Sequence, residues 1–234
     1  MGIPCTAVTD RPRALVTGAS RGIGAAVAAA LAETHDVLLG GRDIEALARL
    51  ASALPGSHLW PVELTDPEAL AAATSGVESL DVLVHSAGTV EIGPLADITA
   101  DTWRRTLELN VVAVAELTRL LLPALRAARG HVVLINSGAG LAANPGWGSY
   151  AASKFALRAF ADVLRAEEPS LRVTSIFPGR TATDMQRRVR AAESGDYEPR
   201  RYLAPETVAR AVLAAVTAPD DGHVTELVLR PAAR

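Results

Sequence analysis

The chain has 234 residues, of which 49% are hydrophobic and 21% charged, and its formal net charge is −3. This length suits one domain with a large buried core, and the apolar content excludes an intrinsically disordered chain. The slightly negative charge argues against general binding of nucleic acid, and the sequence contains no apolar run of the roughly 18 residues needed to span a membrane.

The cysteine content and the N-terminus bear on location and processing. Cys5 is the single cysteine, so no disulfide can form within the chain, which is typical of a cytoplasmic protein. Residues 1–12 lack the basic start and apolar stretch of a secretion signal, and we expect a flexible tail there. No linker or internal repeat interrupts residues 13–234, which are predicted to form a single domain.

Short apolar runs alternate with alanine-rich helical patterns along the chain. In order, they predict a strand over 14–17, a helix over 23–33, a strand over 37–40, a helix over 44–53, a strand over 58–62, a helix over 67–73, a strand over 80–85, a long helix from 99 to about 128, a strand over 131–136, a helix over 148–167, a strand over 171–177, a helix over 205–217 and a strand over 226–229.

The predicted strands are continuous apolar runs rather than alternating ones. Such runs are typical of strands that are buried on both faces of a parallel sheet. Parallel neighbours need crossover connections, which the intervening helices provide. We therefore expect an α/β fold in three layers, a doubly wound, seven-stranded parallel sheet with helices on both faces.

The longest irregular stretch, residues 179–203, follows the C-terminal end of the sixth predicted strand. Ligands bind at that end of open parallel sheets, so we predict a substrate lid at about 180–203. The lid contains Arg187, Arg188 and Arg190. Two interpretations of these arginines are open: they bind an anionic substrate or acidic carrier protein, or they form a solvated helix face.

A glycine-rich turn joins the first predicted strand to the first predicted helix. Residues 17–24 read TGASRGIG, with the spacing Gly-x-x-x-Gly-x-Gly. Glycines allow a tight turn and close approach of the backbone to a pyrophosphate, and the helix N-terminus offers free N–H groups to an anion. The turn therefore predicts a dinucleotide site with contacts from Gly18, Ser20, Arg21, Gly22, Ile23 and Gly24.

A tyrosine and the chain's single lysine form the second motif. Tyr150 and Lys154 are four residues apart in a predicted helix, so they share one face with Cβ atoms about 6 Å apart. A neighbouring ammonium favours phenolate and lowers the pKa of a tyrosine from about 10, which suits acid–base catalysis. Ser137, at a strand end, is predicted to hydrogen-bond a substrate oxygen as charge develops.

These motifs, in this order and spacing, resemble the short-chain dehydrogenase/reductase family over nearly all of residues 13–230. The resemblance implies a Rossmann-like fold and hydride transfer that interconverts an alcohol with a ketone or aldehyde, a 3-oxoacyl thioester being one such substrate. It implies that Tyr150 is the general acid or base and that Lys154 also holds the nicotinamide ribose. It further implies that Asn110 holds a water that relays protons to the lysine.

The end of the second predicted strand bears on the choice of coenzyme. NAD-dependent members of the family carry an acid about where Gly41 stands, and that acid would repel a 2′-phosphate. Arg42 and Arg21 are suited instead to a phosphate dianion, so we predict NADP(H). The alternative makes Asp43 the ligand of the ribose, whereas the favoured interpretation makes it the cap of the following helix.

Further coenzyme contacts are implied by the resemblance at three strand ends. Glu63-Leu64 stands where the family has Asp-Val, and His85-Ser86-Ala87-Gly88 stands where it has Asn-Asn-Ala-Gly. Pro178 to Thr183 matches the pattern Pro-Gly-x-x-x-Thr, which implies contact with the nicotinamide. The implied contacts are Glu63, Leu64, Ser86, Ala87, Gly88, Pro178, Gly179, Thr181 and Thr183, together with Tyr150 and Lys154.

The histidines give no sign of a catalytic or metal site. His85 is predicted to be a strand-end residue rather than a catalytic one, and the five histidines show no metal-ligand spacing. The family resemblance implies a homodimer or homotetramer built on the helices over 99–128 and 148–167, where small residues allow close approach, namely Ala151, Ala152, Ala156 and Ala159.

Two alternatives to a carbonyl or alcohol oxidoreductase remain open. One is a non-enzymatic NADP-binding sensor or scaffold, and the other is an epimerase that uses the same site.

Overall fold

The computed structural model describes residues 11–219 and 221–232. The strands are β1 (Arg13–Thr17), β2 (Asp36–Gly41), β3 (Ser57–Pro61), β4 (Val82–His85), β5 (His131–Ile135), β6 (Arg172–Pro178) and β7 (Glu226–Leu229). The helices are α1 (Gly22–Leu31), α2 (Ile44–Ala53), α3 (Pro67–Thr74), α4 (Ala100–Leu107), α5 (Ala113–Ala128), α6 (Gly148–Glu167), α7 (Asp184–Ala192) and α8 (Pro205–Val216).

All seven strands form one parallel sheet in the order β3-β2-β1-β4-β5-β6-β7. Side chains alternate between its two faces, because successive residues of a strand point in opposite directions. In β1, Ala14 and Val16 pack with Val27 of α1 and with α8, whereas Leu15 packs with Leu117 of α5. Helices therefore cover both faces, and the predicted fold class is confirmed.

The long helix predicted from residue 99 begins as expected but is not continuous. Thr99 caps α4 by accepting a hydrogen bond of 3.3 Å from the Thr102 backbone N–H. A π-helical turn over Glu108–Val112 then separates α4 from α5. The prediction of one regular helix is wrong at this turn, which contains Asn110, and π turns of this kind are often found at functional sites.

The prediction of an irregular lid is also wrong in part. Residues 184–192 form α7, and Pro199–Arg201 form a 3₁₀ turn. Thr183 caps α7 by accepting a hydrogen bond of 3.2 Å from the Gln186 backbone N–H, and Val189 of α7 is buried. The capping threonine followed by Asp184 was the local signal for this helix.

Of the predicted tail, residues 1–12, the structure describes only residues 11 and 12. Residues 1–10, including Cys5, lie outside the described residues, whereas Arg11 donates hydrogen bonds to the carbonyl oxygens of Ala32 and His35. No helix in the described part of the chain is long and apolar enough to cross a membrane. Over the same residues, no three His, Cys, Asp or Glu side chains are grouped as metal ligands.

Candidate active site

One large cleft opens at the C-terminal ends of β1, β2, β4 and β5, beside the N-termini of α1 and α7. All of the predicted coenzyme residues line this cleft except Pro178, Gly179 and Thr181. Of those three residues, Gly179 donates a backbone hydrogen bond to the Leu229 carbonyl of the edge strand β7. Arg188, which the sequence analysis named only as a lid arginine, also lines the cleft. The remaining lining residues were not predicted, namely Gly41, Val62, Thr89, Leu109, Ile135, Asn136, Asp184 and Met185.

The glycine turn is shaped by close backbone contacts. Gly18 has a φ of +67°, and a Cβ there would lie 2.9 Å from the backbone N of Ala87. Arg21 occupies the cap position of α1 without a side-chain cap, and the first turn of the helix carries no acid. The first N–H groups of α1 therefore face the cleft with no side chain to satisfy them, which is the arrangement that accepts an anion.

At the β2 end of the cleft, two oppositely charged side chains pair. Arg42 Nη1 lies 3.0 Å from Glu63 Oε2, and Thr65 donates to the other carboxylate oxygen from its backbone and its hydroxyl. Burial raises the pKa of Glu63, but the hydrogen bonds from Thr65 and Arg42 outweigh it and hold the pKa below its ordinary value. Asp43 caps α2 through the Ala46 backbone N–H, so its carboxylate is engaged as the favoured interpretation expects.

Two of the predicted catalytic side chains, Tyr150 and Lys154, line the same cleft, and Ser137 lies beside Tyr150. The Ser137 side chain lies within hydrogen-bonding reach of Tyr150, which is only 8% exposed. The Lys154 ammonium lies 5.7 Å from the centre of the Tyr150 ring and donates a hydrogen bond of 3.0 Å to the Ile135 carbonyl. The i,i+4 spacing thus puts Tyr150 and Lys154 together, as predicted.

The electrostatics of the tyrosine differ from the expectation. Burial raises the pKa of Tyr150 above its ordinary value, and the hydrogen bond with Ser137 opposes this only in part. Burial also lowers the pKa of Lys154 to about 8. The ammonium is directed to the Ile135 carbonyl, so in this structure desolvation outweighs the expected stabilisation of the phenolate.

Asn110 lies behind these residues rather than in the cleft lining. Its side-chain oxygen accepts from the Thr89 backbone N–H, and its amide donates to the Thr89 carbonyl and to Ser153 Oγ at 3.0 Å. Ser153 in turn donates to the Tyr150 carbonyl. Asn110 therefore ties the segment after β4 to the catalytic face of α6.

Asn136 is a buried residue that sequence reasoning did not single out. Its amide donates to the Lys154 carbonyl at 3.1 Å, and its oxygen accepts from the Ser137 backbone N–H at 2.8 Å. A Cβ at Gly140 would lie 2.4 Å from that oxygen, so glycine is required at this contact. A polar residue at the end of an apolar strand was the available signal, and its role is to hold Ser137 against α6.

The side chains around the tyrosine are apolar or engaged elsewhere. Trp147 lies 5.8 Å from Tyr150, measured between ring centres, and packs with Val90 and Ala139. His85 is buried, and its Nε2 forms a hydrogen bond of 2.9 Å with Thr118 on α5. Burial lowers the pKa of His85 to about 3, so this histidine is neutral at pH 7. His85 does not line the cleft.

Comparison with known proteins agrees with this geometry. A model of the short chain dehydrogenase family matches residues 12–194. The chain is 37% identical over 234 residues to glycine betaine reductase ATRR of Emericella nidulans, covering 93% of this chain and 18% of the length of that protein. It is 36% identical over 228 residues to the uncharacterized short-chain type dehydrogenase/reductase y4eK of Sinorhizobium fredii, covering 93% of this chain and 90% of y4eK.

The solved structure of an alcohol dehydrogenase from the archaeon Thermococcus sibiricus, complexed with 5-hydroxy-NADP, has a TM-score of 0.88 to this chain. The two chains are 26% identical, and the alignment covers 96% of this chain and 98% of the archaeal one. The family match spans the glycine turn, the predicted catalytic residues and the start of the lid. The chain belongs to the short-chain dehydrogenase/reductase family of oxidoreductases.

Proposed function

We propose that this protein is an NADP(H)-dependent oxidoreductase that interconverts a carbonyl and an alcohol, with Tyr150 as the general acid or base. The observation that carries the proposal is the position of Tyr150 and Lys154 in a cleft that the glycine turn also lines, with Ser137 beside Tyr150. The uncapped N-terminus of α1 and the close approach of Gly18 to Ala87 fit a dinucleotide pyrophosphate.

The chemistry requires a proton and a hydride on one carbonyl group. In reduction, the Tyr150 hydroxyl donates its proton to the carbonyl oxygen, and Ser137 donates a hydrogen bond to the same oxygen as negative charge develops. A bound nicotinamide coenzyme supplies the hydride, or accepts it in oxidation. Because the Ser137 side chain lies close enough to Tyr150 to lower its pKa, one substrate oxygen can reach both hydroxyls.

Lys154 contributes charge and coenzyme contacts. With a pKa of about 8, its ammonium is the major form at pH 7, close enough to the Tyr150 ring to favour phenolate when a proton leaves. Its bond to Ile135 uses one of three N–H donors, and the others are suited to the hydroxyls of the nicotinamide ribose. Asn110 supports this proton path by fixing Thr89 and Ser153 around the tyrosine.

The preference for NADP(H) is supported by charge at the β2 end of the cleft. Gly41 presents no carboxylate there, and Asp43 is engaged as a helix cap. The Arg42 guanidinium is held at this end by Glu63 through one nitrogen, which leaves its other N–H groups for a 2′-phosphate. Arg21, in the glycine turn, adds a second positive charge to the same cleft.

A homo-oligomer built on α5 and α6 is part of the proposal. Phe155 and Val163 are exposed on α6, and Val112 is exposed in the π turn beside α5. Exposed apolar side chains on two neighbouring helices are suited to a second copy of the chain. Sedimentation of the purified protein at micromolar concentration tests this, and a monomer there would contradict it.

The first test is titration of the purified protein with NADPH and NADH, followed by nicotinamide fluorescence and thermal shift. We expect tighter binding of NADPH, and binding of neither coenzyme would overturn the proposal. Turnover is then sought with ketones, aldehydes and 3-oxoacyl thioesters. For any substrate found, the Tyr150→Phe variant should bind NADPH normally and lose turnover.

A further inference from the structure

The lid helix α7 begins at the glycine turn. A Cβ at Gly22 would lie 3.2 Å from the methyl group of Thr183, the residue that caps α7. The base of the lid is fixed by backbone hydrogen bonds, from Ala182 to the Leu203 carbonyl and from Leu203 to the Arg180 carbonyl. The first turn of α7 is therefore attached to the part of the cleft that faces the N-terminus of α1.

The arginines of the lid divide into two groups by their partners. Arg180 and Arg190 both pair with the carboxylate of Glu193, so their charges are compensated within the lid. Arg187 lies over the Tyr197 ring, 4.5 Å from its centre, outside the coenzyme cleft. These three arginines stabilise the lid itself.

Arg188 differs from its neighbours because it lines the cleft. It follows Asp184 by four residues, so both lie on one face of α7, and Met185 lines the cleft beside them. Among the described residues, none forms a hydrogen bond, ion pair or ring contact with the Arg188 guanidinium. An arginine that faces an anion-binding turn without a partner is suited to a phosphate group of the ligand.

We propose that Arg188 is a coenzyme-binding residue that holds α7 over the diphosphate of the bound dinucleotide. The proposal rests on the proposed function, since it requires a dinucleotide in the cleft. The diphosphate is favoured over the 2′-phosphate because Thr183, at the start of the same helix, lies beside Gly22 of the glycine turn, where a Cβ would come within 3.2 Å of its methyl group. The 2′-phosphate belongs instead to the β2 end, where Arg42 and Glu63 pair.

The two faces of the cleft then bind the diphosphate by different means. The N-terminus of α1 offers backbone N–H groups from a rigid element, and Arg188 offers a charged side chain from the lid. Because Arg188 belongs to α7, coenzyme binding also stabilises this helix against the cleft. An anionic coenzyme would thereby complete the wall of the substrate site before the substrate binds.

Arg188→Gln and the matched control Arg187→Gln test the proposal. Both residues are exposed neighbours on one helix, and only Arg188 lines the coenzyme cleft. Calorimetric titration with NADPH and with NADH should show that Arg188→Gln raises both dissociation constants by about ten-fold, as expected for loss of one charged hydrogen bond. Arg187→Gln should leave both nearly unchanged, and Arg188→Lys should retain most of the affinity.

Hydrogen exchange gives a second measurement that is independent of turnover. NADPH should slow amide exchange in α7 of the wild-type protein and should slow it much less in Arg188→Gln. Unchanged affinity for both coenzymes in Arg188→Gln would overturn the inference. It would do so even if the KM of an anionic substrate rose, because Arg188 would then bind the substrate and not the coenzyme. Weakened binding of NADPH alone would assign Arg188 to the 2′-phosphate and would also overturn it. If the wild-type protein binds neither coenzyme, the proposed function itself fails.

Discussion

Replacement of Lys154 by methionine should change how the unfolding free energy of the protein depends on pH. Lys154 is buried, with 6% exposure, and burial lowers its pKa from 10.5 to about 8. Between these two values the unfolded chain binds more protons than the folded one, so stability rises with pH across that window. Methionine has a similar length and no titrating group, so the variant lacks this contribution.

The expected magnitude follows from the two pKa values. At pH 7 the folded protein bears nearly the full cost of a buried ammonium, and at pH 10 most of that cost has gone because the folded lysine is neutral. At 1.36 kcal/mol per unit, the difference in unfolding free energy between wild type and Lys154→Met should move in favour of wild type by about 2–3 kcal/mol from pH 7 to pH 10. The hydrogen bond to Ile135 is lost in the variant at both pH values, and any change in its strength as the lysine deprotonates is part of the folded-state pKa.

The assay is denaturant unfolding of coenzyme-free protein at pH 7 and pH 10. Comparison of the two proteins at each pH cancels the titration of all other groups that the substitution leaves unchanged. Repeating the pair in a Tyr150→Phe background removes the neighbouring phenol, whose pKa burial raises. A stability difference that stays constant between the two pH values would refute the buried, depressed lysine on which the reasoning depends.

Three further predictions concern catalysis, coenzyme choice and the glycine turn. Tyr150→Phe should lower kcat by about 10²–10⁴-fold, as measured by NADPH oxidation with a carbonyl substrate, and a substantial remaining rate would argue against its role in proton transfer. Arg42→Ala should raise the dissociation constant of NADPH by about ten-fold and leave that of NADH nearly unchanged, whereas equal losses for both would remove Arg42 from the 2′-phosphate site. Gly18→Ala should destabilise the protein by about 1–3 kcal/mol in denaturant unfolding, because its backbone is left-handed and its Cβ would meet Ala87. The control Gly76→Ala, where a Cβ meets nothing within 4 Å, should be nearly neutral, and equal effects at the two glycines would count against the contact.

The amino-acid sequence by itself determined the features that depend on local spacing. Continuous apolar runs identified the parallel sheet, because strands buried on both faces need apolar side chains on both sides. Four-residue spacing put Tyr150 and Lys154 on one helix face, and the position of Asp43 before α2 identified it as a cap. Each of these depends on the geometry of one segment, which the segment's own residues specify.

Only the tertiary structure decided features that join distant segments. Arg42 pairs with Glu63 from the segment after β3, and Lys154 donates to the Ile135 carbonyl, so the charge pairing and the pKa values depend on packing rather than on sequence spacing. The apolar periodicity around Asn110 fits an α-helix, so this periodicity could not predict the π turn over Glu108–Val112. The difference between Arg188 and Arg187 depends on which face of α7 meets the cleft, and only the packing of α7 beside the glycine turn decides that.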